Sequence, residues 1–199
     1  MNRARLWGGA AITILLCAVF LRACVRIVPP DRSEREPMAS APPSPASVPM
    51  PSPSNTGPLL IPVSGVAASA LVDTFAQARD HGGRPHDAID IMAERGRAVL
   101  AAADGPVEKL FWSDAGGRTL YQRADGGRLL LYYAHLDGYA PGVREGISVR
   151  KGQQIATVGS TGNADPAAPH LHFAVHVVRP DDPWYAGRPV NPYPLLTRR

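Results

Sequence analysis

The stretch Thr119-Leu-Tyr-Gln-Arg-Ala-Asp-Gly-Gly-Arg-Leu-Leu-Leu-Tyr-Tyr-Ala-His135 reads as a β-hairpin. Asp125-Gly126-Gly127 supplies residues that tolerate positive φ, set between two runs rich in Leu and Tyr. Similar apolar runs lie on either side: Ala88–Met92, Ala98–Ala102, Val107–Trp112, Gln154–Val158 and Leu171–Val178. Gly-rich breaks separate them at Gly105-Pro106, Gly116-Gly117, Pro141-Gly142, Lys151-Gly152 and Gly159–Gly162. Short strands at this spacing predict an antiparallel sheet, sandwich or barrel. Ser69–Arg79 is the one helical candidate.

The 199 residues are 45% hydrophobic and 19% charged, which suits one medium domain with extensions. The net charge of +4 invites a nucleic-acid reading, but its distribution opposes it. Residues 1–56 carry +3 and residues 57–199 only +1, so the folded part lacks the basic footprint of a phosphate binder. Cys17 and Cys24 both lie near the N-terminus, so a metal in the domain must be held by His and carboxylate.

Arg3 and Arg5 precede an apolar run from Leu6 to Leu21, and Arg22 and Arg26 follow it. No small-residue cleavage site stands close to that run. Residues 1–28 are therefore expected to be an N-terminal membrane anchor, with a removed signal segment as the alternative. Residues 29–58 are rich in Pro, Ser and Ala, cannot bury a core and favour extended polyproline conformations. Residues 59–199 form the predicted domain.

The domain's histidines carry the chemistry. In His86-Asp-Ala-Ile-Asp-Ile91, strand alternation would place His86, Ala88 and Asp90 on one face and both isoleucines in the core. In His170-Leu-His-Phe-Ala-Val175, Leu171, Phe173 and Val175 form an apolar face, opposite His170 and His172. His135 ends an apolar strand in Tyr132-Tyr-Ala-His-Leu136. Catalytic zinc commonly takes three His or carboxylate ligands and leaves a place for water. His86, Asp90 and one histidine of the 170/172 pair would supply such a set. Proton transfer has no HExxH glutamate to use, and Glu94, Glu108 and Glu145 stand in no metal-like motif. His135 and the remaining histidine of the pair are then the candidates for proton transfer or oxyanion stabilisation.

These motifs have a family likeness. From about Leu59 to Val178 the chain resembles the lysostaphin-like, LytM-domain peptidoglycan metallopeptidases. The resemblance rests on His-x-x-x-Asp at His86–Asp90, Tyr-Ala-His-Leu at Tyr133–Leu136, Gly-Ser-Thr-Gly at Gly159–Gly162 and His-Leu-His-Phe at His170–Phe173. Gly146–Ile155 fits the family's G-x-x-V-x-x-G-Q-x-I pattern. The resemblance implies a mainly β, antiparallel, sandwich-like domain with an open groove. It implies one zinc ion held by His86, Asp90 and His172, with His135 and His170 as catalytic histidines. It also implies endopeptidase action on bacterial peptidoglycan. The N-terminal apolar run and the Pro-rich stretch add the expectation of a periplasmic domain tethered to the inner membrane. Ala88 stands where family members often carry Gly. Members that lost activity have usually lost ligands, and all five positions are present here.

Two other readings compete. One is a non-catalytic LytM module that binds or activates another cell-wall hydrolase. The other is a biotinyl- or lipoyl-like carrier, which needs a Lys on a suitable hairpin tip that neither Lys109 nor Lys151 provides. His81 reads as surface, and His176 as structural because four residues of strand put it about 13 Å from His172. Asp87 is expected to be solvated or paired, Tyr133 to pack, and Gly159–Gly162 to shape a loop beside the site. Residues 179–199 lie beyond the resemblance.

Overall fold

The computed structural model describes residues 59–79 and 83–198. The expected anchor and linker, both cysteines and His81 lie outside the described residues. Among those described, no helix is long and apolar enough to cross a membrane.

Eleven strands make up most of the domain: β1 (Ala78–Arg79), β2 (Arg84–Pro85), β3 (Ile89–Met92), β4 (Ala98–Leu100), β5 (Gly105–Ser113), β6 (Gly117–Ala124), β7 (Leu129–Tyr139), β8 (Ser148–Val149), β9 (Gln154–Val158), β10 (His170–Val177) and β11 (Arg188–Val190). A short helix, α1 (Tyr193–Thr197), follows. The main sheet runs β11-β10-β7-β6-β5-β8, with β3 added to β10, β9 to β7 and β4 to β9. Every one of these pairings is antiparallel. β1 and β2 form a separate two-stranded ribbon.

The 125–127 turn joins β6 to β7 as expected. Asp125, Gly126 and Gly127 have φ of 51°, 60° and 90° in the loop between the paired residues Ala124 and Leu129, positive values that Asp and Gly tolerate. Leu171, Phe173, Val175 and Val177 of β10 are fully buried. Burying one such side chain stabilises the fold by roughly 1.5–3 kcal/mol. Tyr133 is buried among them, donating its hydroxyl to Gln122 Oε1 at 2.7 Å and accepting from the Ala102 N–H at 3.0 Å.

β7 serves two neighbours in turn. Through Ala134 it pairs with β10, and from Leu136 it pairs with β9. His135 stands at the change, with φ of 59°, and the ladder to β6 shifts register at the same place. Such a bulge bends a strand and re-aims a side chain. A left-handed non-Gly residue is strained by about 1–3 kcal/mol, so the surroundings must hold it.

The helical expectation for Ser69–Arg79 is not met. A single 3-10 turn spans Ala68–Ala70, and irregular chain follows to β1, with a turn closed by the Gln77 N–H on the Thr74 carbonyl at 3.1 Å. Within the segment only Leu71 and Thr74 are buried, too few for the apolar stripe a helix needs. The carbonyls of Gln77 and Phe75 instead accept the N–H groups of His86 and Asp87, at 2.9 and 3.1 Å. The C-terminal stretch, illegible in the sequence, buries Leu196 of α1 and gives the Leu195 carbonyl to the Leu59 N–H.

Candidate metal centre

β3 and β10 lie side by side with His172 directly opposite Asp90. That register brings together two residues 82 positions apart, His172 Nδ1 standing 3.1 Å from Asp90 Oδ1. His86 completes a triangle, its Nε2 being 3.0 Å from Asp90 Oδ1 and 3.0 Å from His172 Nδ1. These three residues are the ligand set that the resemblance implied.

His86 reaches the triangle by a route different from the one expected. It precedes β3 rather than belonging to it, and Asp87 beside it has φ of 56°. On a regular strand residues 86 and 90 would lie about 13 Å apart. The left-handed residue folds the chain back and closes that gap. Ala88 is fully buried, yet it is not part of the hydrophobic core that takes Ile89 and Ile91 on either side of Asp90.

His135 and His170 stand beside the triangle. Their ring centroids are 4.9 Å apart, and His135 lies 5.6 Å from His172. A tautomer pattern follows from their partners. His86, His135 and His170 each direct Nδ1 to a backbone carbonyl: Thr74 at 3.0 Å, Thr161 at 2.8 Å and Ala168 at 2.9 Å. A carbonyl only accepts, so Nδ1 carries the proton and Nε2 presents a lone pair. The Gly159–Gly162 loop, expected beside the site, thus supplies His135's anchor. It packs tightly against the β5–β6 turn, and a Cβ on Gly162 would meet the Gly117 nitrogen at 2.3 Å.

Burial disfavours the charge on Asp90, but the adjacent His172 and His86 outweigh it and hold the carboxyl well below the usual carboxylate range. Burial pushes the His172 imidazole down, against the pull of Asp90. Burial also brings His135 down to about 4, despite its carbonyl partner. At neutral pH His135 is therefore an uncharged imidazole.

Sequence reasoning missed Arg79. Its Nη2 donates to Asp90 Oδ2 at 2.5 Å and to His86 Nε2 at 2.9 Å. Nothing in the sequence pointed to it, because it sat in a segment read as a helix. Arg84, Tyr132 and Asp165 were also missed, and they line the same cavity of about 500 Å³. His176 lies four residues along β10, paired across the sheet with Leu130 and Pro189 and absent from that cavity.

The triangle suits a zinc ion. Its donors, two imidazole nitrogens and a carboxylate oxygen, are of the types zinc takes. Their separations of 3.0–3.1 Å are within a few tenths of the ~3.3–3.4 Å between ligands of a tetrahedral ion at ~2.0–2.1 Å. The backbone bond from His86 Nδ1 is the outer-shell contact that orients a ligating imidazole.

The profile of Peptidase family M23 matches residues 84–192. The match therefore runs past Val178, where the sequence resemblance ended, and takes in β11. The L-Ala–D-Glu endopeptidase of Bacillus subtilis is 36% identical over 129 residues, 62% of this chain and 38% of that protein. Murein hydrolase activator NlpD of Escherichia coli is 34% identical over 129 residues, 65% of this chain and 30% of that protein. The chain thus matches well under half the length of either relative. A zinc-containing peptidase from Vibrio cholerae superposes with a TM-score of 0.52 at 28% identity, covering 68% of this chain and 39% of that one.

Proposed function

The chain belongs to Peptidase family M23, and from that premise we propose that it is a zinc endopeptidase cutting peptide cross-links of bacterial peptidoglycan. The supporting observation is the coincidence of two groups: three ligand atoms within 4.8 Å of one another, and two further histidines at their edge. His86, Asp90 and His172 would hold the ion, which supplies Lewis acidity and lowers the pKa of water. His135, uncharged at neutral pH, accepts a proton at Nε2, since its Nδ1–H stays on the Thr161 carbonyl. His170 offers its own Nε2 from the other side, 3.7 Å from Asp90 Oδ1; because its Nδ1–H is held by the Ala168 carbonyl, this nitrogen steadies charge on the substrate oxygen once it has taken up a proton. Between them the two can take a proton from water and deliver one to the leaving amine.

The likeness to a relative named a murein hydrolase activator favours a second reading, in which the domain activates another hydrolase. The assembled ligand triangle favours catalysis. The N-terminal apolar run and Pro-rich stretch support a periplasmic domain tethered to the inner membrane. Digestion of purified muropeptides, with product masses and zinc content per chain, tests the peptidase reading. Zinc-loaded protein that cuts no peptide would overturn it.

A further inference from the structure

The ribbon formed by β1 and β2 places Arg79 directly opposite Arg84. Residues paired this way project from the same face with Cβ atoms roughly 4.5–5.5 Å apart. Both arginines line the cavity that holds His86, Asp90 and His172. Like charges set opposite each other on a ribbon are destabilising unless anions sit among them. Asp90 is one such anion, through its bond to Arg79 Nη2.

Arg79 is only half used. Its buried Nε has no hydrogen-bond acceptor among the described residues. The contrast within the same fold is Arg123, whose Nε and Nη2 hold the two oxygens of Glu108 at 2.5 and 2.8 Å. The corresponding edge of Arg79 has its Nη2 on Asp90 Oδ2 and its Nε unsatisfied. A buried donor without an acceptor costs about 1–3 kcal/mol, so an oxygen arriving there is favoured. The cavity's charge is also uneven: the two cations come from the ribbon, while Asp165 belongs to the 159–169 connection.

The geometry points to a carboxylate subsite formed by Arg79 and Arg84, selecting peptides with a free carboxylate beside the cleaved bond over neutral bridges such as polyglycine. The inference rests on the peptidase reading and adds to it the residues that choose the substrate. A guanidinium pair suits this ligand: Arg79 adds one donor, its Nε, beside Asp90, and the planar fork of a guanidinium such as that of Arg84 matches the two oxygens of a carboxylate. Arg79 is fixed by Asp90 and positions the subsite; Arg84 supplies the selective charge. In stem peptides the carboxylate could come from D-Glu or from diaminopimelate.

The experiment uses the full chain and four peptides: a free-acid stem peptide, its D-Glu amide, its diaminopimelate amide and pentaglycine. Binding is measured by calorimetry and cleavage by product mass, for wild type, Arg84→Gln and Arg84→Lys. Wild type should bind the free acid about tenfold or more tightly than one of the two amides, and that amide identifies the source of the carboxylate. Arg84→Gln should erase the difference and Arg84→Lys restore part of it, with zinc content unchanged in both. Equal binding of acid and both amides by wild type, or discrimination that survives in Arg84→Gln, would overturn the inference. Arg84-dependent binding of the acid without any cleavage would uphold the subsite and sink the peptidase reading.

Discussion

His135 and His170 face each other with ring centroids 4.9 Å apart, and each fixes Nδ1 on a backbone carbonyl. Two side chains from different strands are thereby held as matched tautomers with Nε2 left for chemistry. His172, only two residues from His170, differs by turning Nδ1 toward Asp90. Neighbouring histidines on one strand face thus acquire different proposed roles from their partners alone.

That difference is open to mutation. His172→Ala removes a ligand, so zinc content and muropeptide cleavage should both collapse. His170→Ala should keep the metal while turnover falls roughly 10²–10⁴-fold, the scale of lost acid–base or oxyanion assistance. His135→Asn should do the same, Asn being chosen because it tolerates the left-handed backbone there. The double variant should be little worse than either single, because the two act on one reaction. Metal analysis beside cleavage rates checks this, and His170→Ala losing zinc while His172→Ala keeps it would reverse the assignment.

Gly162 is expected to be intolerant. It has φ of 75°, and an added Cβ would stand 2.3 Å from the Gly117 nitrogen. Gly162→Ala should displace the loop whose Thr161 carbonyl anchors His135. Stability should drop by more than the ~1 kcal/mol of backbone strain alone, and cleavage per folded molecule should fall as well. Urea unfolding and rates normalised to folded protein separate the two effects.

Tyr133→Phe should act on stability only. The hydroxyl bonds Gln122 Oε1 and the Ala102 N–H in a fully buried position. Its removal leaves two buried groups short of a partner, for a loss of roughly 2–4 kcal/mol. The denaturation midpoint should shift while zinc content per folded chain stays the same. A matching loss of zinc would show that the residue reaches the site.

His176 should make stability sensitive to acid. Burial pushes its imidazole below the ordinary histidine value. As pH falls below about 6.5 the unfolded chain therefore takes up a proton that the folded chain resists. This contribution is complete above about pH 6.5 and declines as pH drops toward the folded-state value. His176→Gln should flatten that part of the stability–pH curve. Denaturant midpoints between pH 5 and 8 measure it, and an unchanged slope would refute the assignment.

Period-two alternation and Gly-rich breaks made the strands legible, because both are local. Leu171, Phe173, Val175 and Val177 were placed in the core from their spacing, and they are buried. The Asp125-Gly126-Gly127 turn was legible for the same reason, since few residues accept positive φ. The residue types His, Asp, His named the chemistry of a candidate metal site before any geometry was known.

Only the tertiary structure decided how those residues meet. The register of β3 against β10 sets Asp90 opposite His172, and no local preference encodes that pairing across 82 residues. The left-handed turns at Asp87 and His135 aim two imidazoles against what strand alternation predicts. Their strain is sustained by the surrounding packing, so it leaves no mark on the sequence pattern. Arg79 was invisible for a related reason. An arginine in a poorly periodic segment resembles solvated surface, and only the ribbon's fold carries it to Asp90.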